Sequence, residues 1–578
     1  MSYYGNANPD LLELAPFARR VLEVGCGEGD LAAAYRSRNP QCHYVGVEIH
    51  APAAAMAAGR LDQVLVGDIE TMDDAAITGG EPFDLILMGD VLEHLRDTDA
   101  ALARIARLLA PDGCFALCVP NIAHWSSLFH LMHGRWPTED AGLFDRTHLR
   151  FFTLESITTA LKKGGFNLIK QRPRKVLLDK QKAETWLPRL GDLAEQMGID
   201  RQSFLDRSAT LQYVLIARPA ANPAPERTPM QIVTAAMAPR VMDVRTRLPA
   251  QQLRTIPEVN VRYQEKSVEI VPVPNGTAKI MVLQRPAVPD QDAWKRMALQ
   301  ALRAGWLIVT EYDDHPELVG QVLGWAPERS RWLQVAAAHA VQTTTEPLAA
   351  AFREHNPEVM VFPNAAFVLP PLRARPAGSE PKRVFYGALN RGTFGVALAR
   401  ALEPAVAAHP ATIFEVVHDR AFFDALPTDR KNFRPTLDYD AYLEAIGACD
   451  IALLPLADDA LNLFKSDLKY VESAARGAAV IASPAVYRDS VQDERTGLIA
   501  ERLEDWAPAL IRLLADDSLR ERLSRAAWED VRDNRMFAAQ AGARIAWYRR
   551  LWEDRAQLHA RLLARCPWLA EALAAPGA

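Results

Sequence analysis

Residues 21–30 read Val-Leu-Glu-Val-Gly-Cys-Gly-Glu-Gly-Asp, and no other stretch constrains the fold as strongly. An apolar, β-branched run empties straight into Gly25, Gly27 and Gly29. Such a strand must turn sharply, and glycine alone enters positive φ without a Cβ penalty. The spacing is G-x-G-x-G; a dinucleotide-binding turn has its third glycine one place later, where Asp30 stands. The pattern predicts the first strand, turn and helix start of an open α/β sheet. A single turn of this kind is equally consistent with a tight connection that binds nothing.

Three further strand-like runs follow, each ending on an acid. Residues 42–48 close on Glu48, nineteen residues beyond Gly29, where a carboxylate can accept two hydrogen bonds from a ribose diol. Residues 64–69 carry Asp68 and Ile69, with Asp68 placed for an adenine amino group. Residues 83–90 end at Asp90, and residues 91–95 open the next helix. Ligands of such sheets lie beyond the carboxyl ends of the strands, where all these residues fall. In this order and spacing the chain resembles the class I S-adenosylmethionine-dependent methyltransferases. The resemblance implies S-adenosylmethionine held by Glu23, Gly25, Cys26, Gly27, Gly29, Glu48, Asp68, Ile69 and Asp90.

It extends to a subgroup associated with surface-polysaccharide enzymes, through residues 118–125, 134–136 and 142–153 after the expected fifth strand at 113–119. In that subgroup this region forms the acceptor site. Thr153 is placed to cap a helix that Gly164 and Gly165 end. The sulfonium is already activated, so the protein has only to align an acceptor oxygen and remove its proton. His148, in a loop with Asp145 and Arg146, is the first candidate for that step, with Asp145 beside it; His94 and His124 are the runners-up. Each histidine is also open to a purely structural role, and His94 to pairing with Glu93.

At 578 residues the chain exceeds one core. A net charge of −6 and the lack of a dense Lys/Arg tract give no reason to expect nucleic acid. No apolar run is long enough for a membrane span, and no leader pattern begins the chain. Six scattered cysteines without a C-x-x-C pair point to a reducing compartment and no zinc site, hence a cytoplasmic protein. The expected organisation is a methyltransferase domain over 1–219, a proline-rich linker over 220–235, Rossmann-like subdomains over 236–370 and 371–550, and a helical tail over 551–578. Strands are expected at 278–284 and 306–311 with a crossover helix over 290–304, then a strand entering a helix over 339–348 and a strand with a proline turn over 359–365. A second βα series begins at 382–387. Trp528, Trp547 and Trp552 are expected to anchor the tail.

Residues 462–477 read Asn-Leu-Phe-Lys-Ser-Asp-Leu-Lys-Tyr-Val-Glu-Ser-Ala-Ala-Arg-Gly. With 311–314 and 345–348, they resemble the retaining nucleotide-sugar glycosyltransferases of the two-Rossmann-domain (GT-B) type. The resemblance implies a nucleotide-sugar donor, with Glu472 on the ribose diol, Lys465 and Lys469 one turn apart on the diphosphate, and Arg391 as a further phosphate contact. Lys469 and Glu472 are equally spaced for an ordinary helix salt bridge. Many relatives carry a second glutamate eight residues before Glu472; here Phe464 stands there, with Asp467, Asp458 or Asp459 as substitutes. This architecture implies no metal.

The expected fold class is α/β, a Rossmann-like methyltransferase domain followed by a GT-B pair with a helical tail. The expected function is a bifunctional transferase in cell-surface glycan synthesis. It would act on a sugar or glycan acceptor and associate peripherally with lipid-linked glycan machinery. The rivals are an active methyltransferase with a glycan-holding second half, and a non-catalytic nucleotide-sensing scaffold.

Overall fold

The computed structural model describes residues 7–176, 179–220, 227–237, 242–286, 291–323, 332–373, 381–388 and 391–574. It divides into two compact units: Met1–Thr228 with Arg254–Val259, and Pro229–Leu253 with Asn260–Ala578.

Unit 1 is built on β1 (Arg20–Val24), β2 (His43–Glu48), β3 (Gln63–Val66), β4 (Phe83–Gly89), β5 (Leu109–Pro120), β6 (Phe166–Arg174) and β7 (Gln212–Pro219), ordered β3-β2-β1-β4-β5-β7-β6. The first five run parallel, and β7 is antiparallel to both β5 and β6. Successive residues feed opposite cores. Leu22, Ile86 and Leu117 pack on one face; Val21, Leu87 and Cys118 pack on the other. Both faces of these strands are therefore apolar, as a sheet covered on two sides requires. All six cysteines are buried free thiols. Thr153 accepts from Ser156 N and caps the helix Leu154–Lys163, which ends at Gly164.

Three local features differ from the sequence reading. Residues 91–95 do not open the long helix: Leu92–His94 is a 3-10 turn, and the helix Thr98–Leu108 starts only where Asp97 accepts from Ala100 N. The strand β6 and the helices Lys180–Gln196 and Arg201–Ser208 had no expected counterpart. Residues 230–235, read as the end of the linker, belong instead to β8 (Met230–Ala236), buried along its whole length. Most of the proline-rich stretch, Asp290 of the crossover helix, Leu389 and Asn390 beside Arg391, and the last four residues of the tail lie outside the described residues.

Unit 2 holds two six-stranded sheets. The first comprises β8 (Met230–Ala236), β9 (Val259–Glu265), β10 (Ala278–Gln284), β11 (Leu307–Tyr312), β12 (Ala340–Thr343) and β13 (Val359–Val361), ordered β13-β12-β11-β10-β8-β9. The second comprises β14 (Arg383–Tyr386), β15 (Ile413–Val417), β16 (Lys431–Arg434), β17 (Ile451–Leu454), β18 (Ala479–Ala482) and β19 (Leu498–Ile499), ordered β16-β15-β14-β17-β18-β19 and parallel throughout. The helix Phe537–Glu553 returns from the second sheet to the first, where Tyr548 donates its hydroxyl to Gln342 Oε1 at 2.6 Å and Trp547 is buried. Trp528 donates its indole N–H to Pro370 O. Among the described residues no helix is long and apolar enough to cross a membrane.

Candidate functional site

In unit 1 the strand order reverses between β1 and β4, which opens a crevice beyond their carboxyl ends. Gly25 has φ +73°, and a Cβ there would lie 2.4 Å from Val91 Cγ2, so the turn is pressed against the tip of β4. Gly29, at φ +83°, precedes the helix Asp30–Arg38. Across the turn, Glu48 accepts from Gly27 N on Oε2 and from His50 N on Oε1, both at 2.8 Å. Each oxygen keeps a second lone-pair direction. Asp68 Oδ1 accepts from Glu70 N at 2.9 Å, and Ile69 is buried. Asp90 sits at the tip of β4 with φ +54°, bonded by Gln212 Nε2 at 2.5 Å. Burial pushes its carboxyl up to about 6 against the pull of Arg174. The sequence reading missed Ile49 and Val66, 69% and 57% exposed at the tips of β2 and β3; apolar side chains left in water at a ligand crevice were the available signal.

Two members of the expected cofactor set turn inward instead. Glu23 accepts from the Tyr44 hydroxyl at 2.9 Å inside the core, and Cys26 is buried beneath Gly46. For Glu23 the cause is the pleat: a side chain on β1 short of its tip points into a face already covered by helices. Burial raises the Glu23 carboxyl from 4.5 to about 8. The folded chain therefore holds a proton that the unfolded chain releases above about 4.5, and stability falls as pH rises from there through 8. The shift corresponds to about 5 kcal/mol. Glu23→Gln, which keeps an acceptor for Tyr44, is expected to flatten the decline in thermal midpoint between pH 5 and 9. Melts across that range check it; an unchanged slope contradicts the assignment.

The loop 142–150 packs against the 3-10 turn after β4. Leu149 N and Arg150 N both donate to Glu93 O. This brings His148 and His94 together, their ring centroids 4.8 Å apart and edge to face. His148 Nε2 lies 4.0 Å from Glu93 Oε1. Burial and the neighbouring His94 lower the His148 pKa. Glu93 is fully buried, and burial, Asp90 and Asp145 drive its carboxyl well above the ordinary range. Asp145, expected beside the reacting atoms, instead staples the loop: its Oδ1 accepts from Thr147 N and Oγ1 at 2.8 and 2.6 Å. His124 caps the helix Trp125–Met132, and burial pushes its pKa down to about 4, so it stays neutral.

In unit 2 the second sheet reverses order between β14 and β17. Arg391 immediately precedes the helix Gly392–Ala401 after β14, and its Nε donates to Pro455 O, just past β17, at 2.7 Å. Glu472, 4% exposed on the helix Leu468–Ala475, accepts from Lys469 Nζ at 3.0 Å; Lys469 also donates to Tyr442 Oη at 2.8 Å and lies over that ring. Burial lowers the Lys469 pKa, but Glu472 and Tyr442 outweigh it and hold the pKa above its ordinary value. A cavity of about 80 Å³ borders Glu472, lined also by Leu248, Phe367, Tyr439 and Arg476. Lys465 is not one helical turn from Lys469. It follows a 3-10 turn, outside the helix, and binds Asp314 at 3.0 Å. The break falls at Asp467, whose carboxylate is taken by Arg535 at 2.6 and 2.8 Å and by Ser490 at 2.5 Å. Asp467 is thus committed elsewhere, and Asp459 closes its own turn onto Leu461 and Asn462. Phe464 packs on His315 with centroids 4.7 Å apart.

A family model described as "Methyltransferase domain" matches residues 6–171, and one described as "Glycosyl transferase-like" matches residues 397–544. A trans-aconitate 2-methyltransferase of Methylobacterium nodulans is 34% identical over 114 residues, 19% of this chain and 43% of that protein. A malonyl-[acyl-carrier protein] O-methyltransferase of Geobacter sulfurreducens is 28% identical over 151 residues, 26% of this chain and 56% of that protein. The chain spans about half the length of these curated relatives. Among solved structures, a SAM-dependent methyltransferase from Archaeoglobus fulgidus is 17% identical, covering 36% of this chain and 90% of that one at TM-score 0.26. S. aureus TarM, in complex with Fondaparinux, alpha-GlcNAc-glycerol and UDP, is 10% identical, covering 47% and 55% at TM-score 0.35.

Proposed function

From a chain that carries a methyltransferase domain and a glycosyltransferase-like domain, we infer a bifunctional enzyme. It methylates a sugar or glycan hydroxyl from S-adenosylmethionine and transfers a sugar from a nucleotide-sugar donor. The observation that carries the first activity is the Gly25–Gly27 turn facing Glu48 across the β1/β4 crevice. The residues fit the cofactor: Glu48 offers free lone pairs to the ribose diol, Asp68 an acceptor for the adenine amino group, and Ile49 an apolar face for the base. S-adenosylmethionine supplies an activated methyl group; the chain binds it, aligns the acceptor and handles the acceptor proton.

His148 and His94 flank the acceptor position at the end of β4. His148→Ala is expected to leave S-adenosylmethionine affinity unchanged and to lower methyl transfer at least ~100-fold. Turnover with labelled cofactor over cell-envelope glycan reads this directly, and it tests the proposed substrate class at the same time. Undiminished transfer removes His148 from the reaction.

In unit 2 the proposed donor site is Arg391, Lys469 and Glu472, near the point where the strand order reverses between β14 and β17, with Lys465 set apart on Asp314. One observation favours a second reading, in which this unit binds donor or glycan without turning it over. Phe464, which stands where many relatives carry an acid, and Asp467, the candidate substitute, are engaged in packing and in an ion pair. Binding of a nucleotide-sugar panel without product formation selects that reading.

A further inference from the structure

We propose that Glu93, His94 and His148 form a divalent-cation site with two imidazole ligands and one carboxylate, taking borderline ions such as Zn²⁺ and Co²⁺ in preference to Mg²⁺. One ligand atom from each lies within 4.8 Å of the others. Neither Glu93 oxygen has a hydrogen-bond partner, although the residue is fully buried. A buried carboxyl with neither oxygen partnered lacks the hydrogen bonds that make burial tolerable, and a cation that displaces its proton supplies what is missing.

The two rings are preset for the same task. His94 Nδ1 lies 3.2 Å from Thr147 O and 3.1 Å from Thr147 Oγ1, and His148 Nδ1 lies 3.3 Å from Leu143 O. A backbone carbonyl can only accept, so each Nδ1 carries the proton and each Nε2 presents its lone pair. Metal-ligating histidines are held by an outer partner in this way. The frame is fixed without an ion: Glu93 O clamps the loop through Leu149 N and Arg150 N, and Asp145 closes it through Thr147.

Two nitrogens and one oxygen suit zinc, cobalt or ferrous iron; magnesium prefers a shell of oxygens. Three protein ligands leave a coordination position open, as in catalytic rather than structural sites. The sequence reading expected no metal from its scattered cysteines and its glycosyltransferase architecture; His94 and His148, 54 residues apart, share no local ligand spacing. The role of the ion rests on the methyl-transfer reading; its binding does not. An acceptor hydroxyl in the open position is acidified and loses its proton to water. Its oxygen pair then forms the C–O bond as the S–C bond breaks and returns its electrons to sulfur. The histidines act there as ligands in place of a free base.

The test uses the full chain, stripped with chelator and titrated with Co²⁺, Zn²⁺ and Mg²⁺ by calorimetry, with S-adenosylmethionine binding measured on the same sample. One Co²⁺ or Zn²⁺ per chain is expected at micromolar affinity or tighter, with Mg²⁺ at least ~100-fold weaker. His94→Ala and His148→Ala should each weaken Co²⁺ binding at least ~100-fold without changing S-adenosylmethionine affinity. X-ray absorption of the zinc-loaded wild type, which depends on no variant folding, should show two imidazole nitrogens at about 2.0–2.1 Å. Substoichiometric binding, a shell without imidazole, or full binding in both variants overturns the site. Metal bound without S-adenosylmethionine binding upholds the site and overturns the methyl-transfer reading instead.

Discussion

Glu48→Ala is expected to weaken S-adenosylmethionine binding at least ~100-fold, an effect of about 3 kcal/mol. In the folded chain the Glu48 carboxylate ties the glycine turn to the end of β2 through the amides of Gly27 and His50. Its remaining lone pairs are the proposed acceptors for the ribose diol. Hydrogen bonds to a charged partner contribute about 1.5–3 kcal/mol each, so losing two accounts for the expected effect without counting the loosened turn. Glu48→Gln separates the two contributions, because one amide oxygen can still hold a backbone N–H but cannot accept from both. Calorimetric titration of the full chain reads both variants. An affinity within about threefold of wild type would mean that the ribose is bound elsewhere, and the cofactor assignment would go with it.

Lys469→Ala is expected to abolish donor binding and also to destabilise unit 2, for a reason visible without any ligand. Glu472 is buried, and Lys469 Nζ is the cation against it. Removing one partner of a buried pair leaves an uncompensated charge, typically at a cost of 3–5 kcal/mol. The Lys469 side chain is itself 32% exposed, so water can partly replace it and the lower end, about 3 kcal/mol, applies. For a unit of this size that lowers the thermal midpoint by about 4 °C. The double variant Lys469→Met with Glu472→Gln removes both charges and should recover most of the stability, because an ion pair replaced by neutral groups of similar volume is often neutral in energy. Donor binding should stay lost in the double variant. If it returned with stability, the pair would be structural and the donor site would lie elsewhere in the crevice.

Local chemistry made some positions readable in advance. The turn at Gly25 and Gly27 and the acids closing β2 and β4 were readable because strand ends and glycine turns are set by neighbouring residues. The helix cap at Thr153 was readable for the same reason. Three expectations failed where a distant partner decides. Glu23 was expected at the cofactor, but Tyr44 holds it in the core. Lys465 was expected to share a helix face with Lys469, but Arg535 and Ser490 take Asp467, and the helix begins only at Leu468. Asp145 was expected to act in the reaction, but it staples its own loop. Each turns on which partner reaches a polar group, and a backbone pattern carries no record of that.

The order of strands, turns and acids along the chain determined the α/β fold class, the glycine turn at Gly25 and Gly27 with Glu48 at the end of β2, and the likeness to methyl- and glycosyltransferases. Those features follow from periodicity and from local backbone geometry, which act over a few residues. Only the tertiary structure brought Glu93, His94 and His148 within 4.8 Å. Their meeting depends on a loop some fifty residues downstream folding back onto one backbone carbonyl. Only burial in that fold could leave a carboxylate with no donor, because desolvation belongs to the packed chain and not to the residue.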